Sequence, residues 1–241
     1  MTATMLQIRL FALAPAAAVI VGGVFAAYRA PGPAVRSAVQ HFAAGVLFCA
    51  LATELLPDIV HRRLPAVTLG GFALGVAVML GMKWLAEQSE KKAAGEATQP
   101  TSLILALGVD ITLDGLLIGL GFVAGAKQGL LLTIALTLEV LFLGVSGAVA
   151  LAGVGASRAR IIATTSGFAG LLLVGAAVGT LLLTGASATV LDAVLSFGLA
   201  ALLYLVTEEL LVEAHETPET PLLTAMFFFG FIVLLVIEML L

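Results

Sequence analysis

Asp110, Asp114 and Glu139 are the residues whose type and spacing point to chemistry, because each falls inside a long apolar run with no lysine or arginine at its depth. Asp110 and Asp114 stand four residues apart, so on a helix they project from one face about one turn from each other. The run that holds them centres near Leu113 and the next run near Leu141, which puts all three carboxylates close to one depth. An ionised carboxylate at the middle of a bilayer costs at least about 2.5–3.5 kcal/mol on insertion scales. Carboxylates gathered together also repel one another. The usual remedy is a basic neighbour, and none is in reach. What remains is a proton or a bound cation, so the spacing predicts a cation-handling site.

Further acids extend the line. Glu54 lies near the outer end of the second run, followed by Pro57 and Asp58. Glu208 and Glu209 lie in the last third of the seventh run, with Glu213, His215 and Glu216 just beyond. An outer acid, a midplane cluster and an inner acidic mouth together make a path of negative potential for a cation. Asp192 and Glu238 lack such a pattern and read as interfacial residues. His41 and His61 read as surface residues at loops or helix ends, and Cys49 as a packed core thiol.

The elements that must position these groups are membrane spans. Apolar residues make up 61% of the 241 positions and charged residues 11%, far from the balance of a soluble domain. A soluble fold cannot hide that much apolar surface. Apolar runs long enough to cross a bilayer are expected at roughly 10–28, 37–57, 65–86, 101–125, 129–154, 160–184, 188–212 and 220–241. The fold class expected is all-α, a polytopic membrane bundle of about eight helices, with residues 1–241 as a single transmembrane domain. Arg9 followed by Phe11 to Tyr28 has the look of a signal peptide but is long enough to cross, so an uncleaved first span is expected. The stretch from Ala86 to Pro100, with Glu87, Glu90, Lys91, Lys92 and Glu96, is the one substantial hydrophilic loop expected. The fourth and fifth runs are joined by a short turn, which makes them neighbours and brings Glu139 toward the aspartate pair. Glycine pairs at four-residue spacing, Gly71 with Gly75, Gly115 with Gly119 and Gly175 with Gly179, suit helix backbones in close contact.

Loops one, three and five carry Arg29, Arg36, Lys83, Lys91, Lys92, Arg158 and Arg160, against Arg9, Arg62, Arg63 and Lys127 on the other side. That bias places the third loop in the cytoplasm and both termini outside. The net charge of −4 leaves no basic stripe for nucleic acid. One cysteine cannot form an internal disulfide. No enzyme is expected: the two aspartates share one helix rather than facing each other, and neither a His-Glu-x-x-His motif nor a Ser-His pair at depth occurs.

At these residues the chain resembles the Zrt/Irt-like (ZIP) family of divalent metal transporters, most closely its bacterial branch. His41 to Val46 running to Glu54-Leu55-Leu56-Pro57 is similar to the family's second helix, and Ala200 to Glu216 to its seventh. Ala106 to Gly115 follows the fourth-helix pattern His-Asn-x-Pro-Glu-Gly, with Asp110 in the place of histidine and Asp114 in that of glutamate. Ala135 to Gly144 resembles the fifth-helix motif, with Glu139 at its first ligand position. Ile111 stands for the asparagine, Val140 and Leu143 for fifth-helix acids, and Leu172 or Leu173 for a sixth-helix glutamate. The helix-breaking prolines are absent. The resemblance implies an integral protein of the bacterial inner membrane that moves a divalent metal cation by alternating access. The cation is its substrate rather than a resident cofactor: zinc first, with iron, manganese or cadmium as further candidates. Its metal ligands would be Asp110, Asp114 and Glu139. Its path would pass Glu54, Glu208, Glu209, His215 and Glu216. The expected partners are the metal cation and the lipid bilayer, with a homodimer as the candidate assembly. All-carboxylate ligation suits harder cations such as manganese, magnesium or calcium. The alternatives are a proton- or sodium-coupled carrier built on the same acids, and a metal-binding homologue that does not transport.

Overall fold

Apolar side chains cover the chain almost without interruption, so its helices can be satisfied only by packing on one another and on lipid. The structure, a computed structural model, describes residues 3–93 and 101–240. Among these are eight helices long and apolar enough to cross a membrane, and no strand. We number them α1 (Ala3–Tyr28), α2 (Pro33–Arg62), α3 (Pro65–Ala93), α4 (Thr101–Ala124), α5 (Ala126–Gly153), α6 (Arg158–Leu183), α7 (Ala188–Ala214) and α8 (Pro221–Leu240). The chain is an all-α polytopic bundle. The hydrophilic loop expected over 86–100 begins later than anticipated. Glu87, Gln88, Glu90, Lys91 and Lys92 are good helix formers, and α3 continues to Ala93. Glu96, with the rest of 94–100, lies outside the described residues.

Helices α1, α4, α5 and α6 pack as an inner group: α1 lies against α5 and α6, and α4 against the same two. The remaining helices pair as α2 with α8 and α3 with α7, and α2 also touches α5 and α7. These contacts map onto themselves when α1 is exchanged with α6, α2 with α7, α3 with α8 and α4 with α5. Inverted repeats of this kind are common in carriers. The outward sides of α3 and α8 carry exposed Leu69, Leu74, Leu80, Phe228 and Met239, as a lipid-facing surface requires.

Glycines set the helix rotations. A Cβ on Gly115 or Gly119 would collide with the Leu172 or Ala176 carbonyl of α6, and one on Gly175 or Gly179 with the Thr112 or Leu116 carbonyl of α4. Gly71 and Gly75 meet the Ala193 and Phe197 carbonyls of α7 in the same way. The expected backbone contacts are present at all three pairs. With Gly115 held against α6, Asp114 is turned about 100° around the helix, into the interior, where it is 1% exposed.

Two helices widen locally. In α2 the turn Leu51–Leu55 is π-helical, with the Leu56 N–H bonded to the Leu51 carbonyl five residues back. In α7 the turn Leu205–Leu210 does the same, the Leu211 N–H reaching the Val206 carbonyl. Each holds a threonine whose hydroxyl donates to the carbonyl four residues back, Thr53 to Cys49 and Thr207 to Leu203, both at 2.9 Å. That hydroxyl competes with the helical ladder for the same carbonyl. In α2, Pro57 adds to the effect, because it has no N–H to offer Thr53. The sequences echo one another, Leu-Ala-Thr-Glu-Leu-Leu in one turn and Leu-Val-Thr-Glu-Glu-Leu-Leu in the other. They sit at opposite ends of the bundle. With no proline inside them, α4 and α5 run unbroken.

Candidate metal centre

Asp110 and Asp114 occupy the middle of α4 and Glu139 the middle of α5. The three are 6%, 1% and 0% exposed. Each offers a carboxylate oxygen, and the three oxygens lie within 4.8 Å of one another. The sequence placed them at one depth, and the packing of α4 on α5 brings them together.

Four of their six oxygens lack, among the described residues, the partner that burial demands. Asp110 Oδ2, Asp114 Oδ2 and both oxygens of Glu139 are sealed from solvent and accept no hydrogen bond. A buried, unpaired polar atom costs about 1–3 kcal/mol, and more when charged. Zinc takes carboxylate oxygen at about 2.0–2.2 Å in a tetrahedron and calcium at about 2.3–2.6 Å with six or more ligands, so neighbouring oxygens on one ion stand about 3.3–3.7 Å apart. Side-chain adjustment of about 1 Å closes such a shell. The arrangement is a buried carboxylate cluster that can bind a metal ion, with oxygen as its donor atom.

A cavity of about 230 Å³ reaches the cluster. Asp110 and Glu139 form its floor, and Glu208, Glu209 and Glu213 of α7 line the approach together with Lys83 and Tyr204. Its lining on α3 and α7, Met79 to Lys83 and Tyr204 to Glu213, lies in the C-terminal halves of those helices. Asp114 does not line it and sits behind the other two.

The remaining path residues divide. Glu208 lines the cavity but is half-exposed, and it pairs with Lys83 at 3.1 Å. Glu209 lines it without an ion pair among the described contacts. His215 and Glu216 lie outside it: His215 Nε2 is 2.8 Å from Glu219, and Glu216 borders a separate small cleft beside Arg36 and Gln40. Glu54 is buried in the π turn of α2. It lines no part of the cavity. The proposed line of acids is therefore continuous on one side of the cluster only.

One assignment from sequence is corrected. His41 is no surface residue: it is 2% exposed, because α2 turns that face toward α7. Asp192 stands near the start of α7, at the span end expected of it. It is fully buried between α7 and α3, where Thr68 Oγ1 donates to its Oδ2 at 3.0 Å. Glu238, near the end of α8, faces Lys127 at 3.8 Å, and Cys49 is the buried free thiol expected. Sequence reasoning missed Gln40, whose amide donates to Glu213 at 2.7 Å and ties α2 to the acidic mouth. A lone glutamine in an apolar run was the available signal. Compared with known proteins, no family model and no curated protein matches the chain.

Proposed function

We propose that this protein carries a divalent metal cation across a membrane, holding it in transit on Asp110, Asp114 and Glu139. The observation that carries this reading is the set of four buried, unpartnered carboxylate oxygens at the end of a cavity lined by further acids. Asp192 keeps one bonded oxygen, whereas Glu139 keeps none among the described residues. A permanently bound ion would not need an acidic approach.

Zinc stands first because of the likeness to Zrt/Irt-like transporters, with iron, manganese and cadmium following. The oxygen-only donor set also suits harder ions. Alternating access fits the exchange relation among the helices. The mouth on the Glu209 side is reached by the cavity, while the related turn holding Glu54 is buried, so one end is open and its counterpart closed. In the proposed orientation, in a bacterial inner membrane with both termini outside, the open side faces the cytoplasm.

The test is flux into liposomes with zinc, manganese, iron and cadmium, with and without a pH gradient. Ligand carboxylates must be deprotonated to bind, so saturable uptake should weaken as pH falls. Asp114→Asn should abolish that uptake while the protein still inserts and purifies. Unchanged kinetics in this variant would remove the assignment. The same oxygens favour a second reading, a sodium- or proton-coupled carrier. Thermal stabilisation by sodium but by no divalent ion would select it.

A further inference from the structure

His41 and His215 are two of only three histidines in the chain, and the fold brings them together from α2 and the end of α7. Their ring centroids are 5.2 Å apart, with planes at 85°. His41 Nδ1 lies 2.9 Å from the Ser37 carbonyl oxygen, an acceptor only, so Nδ1 carries the proton and Nε2 keeps its lone pair. That Nε2 is buried and has no hydrogen-bond partner among the described residues. A backbone carbonyl fixing one ring nitrogen while the other stays free is how metal-binding imidazoles are oriented. His215 is half-exposed, and Glu219 lies 2.8 Å from its Nε2. Its ring is the movable partner.

We infer that His41 and His215 form a second metal site, one for a late-transition divalent ion such as zinc or copper, at the end of the bundle where α7 leaves the membrane. The separation fits. With metal–nitrogen bonds of about 2.0–2.1 Å and about 1.1 Å from nitrogen to ring centre, two imidazoles on a tetrahedral ion have centroids about 5 Å apart. Imidazole nitrogen selects zinc, copper and nickel, where carboxylate oxygen favours harder ions. Glu219 supplies an acid beside the exposed ring, and water completes the shell. The third histidine, His61, lies twenty residues along α2 from His41, about 30 Å away, and cannot share an ion with it. The site stands apart from the carboxylate cluster and does not depend on transport through it.

The experiment uses Cu(II) electron paramagnetic resonance on the purified full chain carrying Asp114→Asn, with any histidine tag removed. One copper per chain should show superhyperfine structure from two imidazole nitrogens. His215→Gln should reduce the pattern to a single nitrogen at most and weaken zinc binding at least tenfold by titration. His41→Gln should do the same, and His61→Gln should change nothing. Oxygen-only ligation in the parent, or a two-nitrogen signal that survives His215→Gln, would overturn the proposal. Because His215 is exposed, that arm remains informative even if the His41 variant does not fold. Oxygen-only copper ligation in the parent, with metal uptake by the unsubstituted protein intact, would count against this site alone. Unchanged uptake in Asp114→Asn would count against the central site alone.

Discussion

The acids at the ends of the bundle and the acids at its middle live under different rules. Asp58 is 3.0 Å from Arg62, Glu208 is 3.1 Å from Lys83, and Asp192 accepts from Thr68. Glu213 accepts from Gln40, and Glu238 faces Lys127. Glu139 is as buried as any of these, yet neither of its oxygens has a partner among the described residues, and Asp110 and Asp114 each leave one oxygen bare, as Asp192 and Glu238 also do. Depth accounts for part of the contrast, since basic side chains reach the ends of spans by snorkelling and seldom sit at the middle. Depth does not explain why three uncompensated acids were placed side by side. A group that must exchange a cation is served by having no permanent partner.

Three substitutions sharpen that contrast. The largest effect is expected where a partnered acid loses its partner: Thr68→Val leaves the Asp192 carboxyl buried without a donor and should cost about 1–3 kcal/mol, read as a lower melting temperature in detergent. Removing charge from the middle should act in the opposite direction. Glu139→Gln relieves repulsion among the three carboxylates, so the metal-free protein should gain about 1 kcal/mol. It should also lose the melting shift produced by metal. A fall in metal-free stability would mean that the cluster is partnered after all. The smallest effect belongs to the half-exposed pair at the mouth. Lys83→Gln should change stability by less than about 1 kcal/mol. It should raise apparent metal affinity modestly at low ionic strength, an effect that vanishes in high salt.

Much of this was readable before any fold was known, and for a simple reason. In a chain so apolar, every charge is conspicuous, and counting along a span converts position into depth at a fixed rise per residue. The eight spans, the common depth of Asp110, Asp114 and Glu139, and the backbone contacts at Gly115 and Gly175 all follow from one-dimensional information. Rotation about each helix axis does not. His41 read as a surface residue because nothing local says which way a side chain on a uniformly apolar helix faces.

What the amino-acid order determined by itself, then, was the solvent, the number of crossings and the presence of uncompensated acids at the midplane. Only the tertiary structure decided that these acids meet, that Glu54 is walled off while Glu209 lines a cavity, and that His41 faces His215. The division has a physical cause. Hydrophobic length and charge are properties of a segment, whereas azimuth and access depend on which helix lies alongside, and that is settled by glycine contacts between residues distant in the chain.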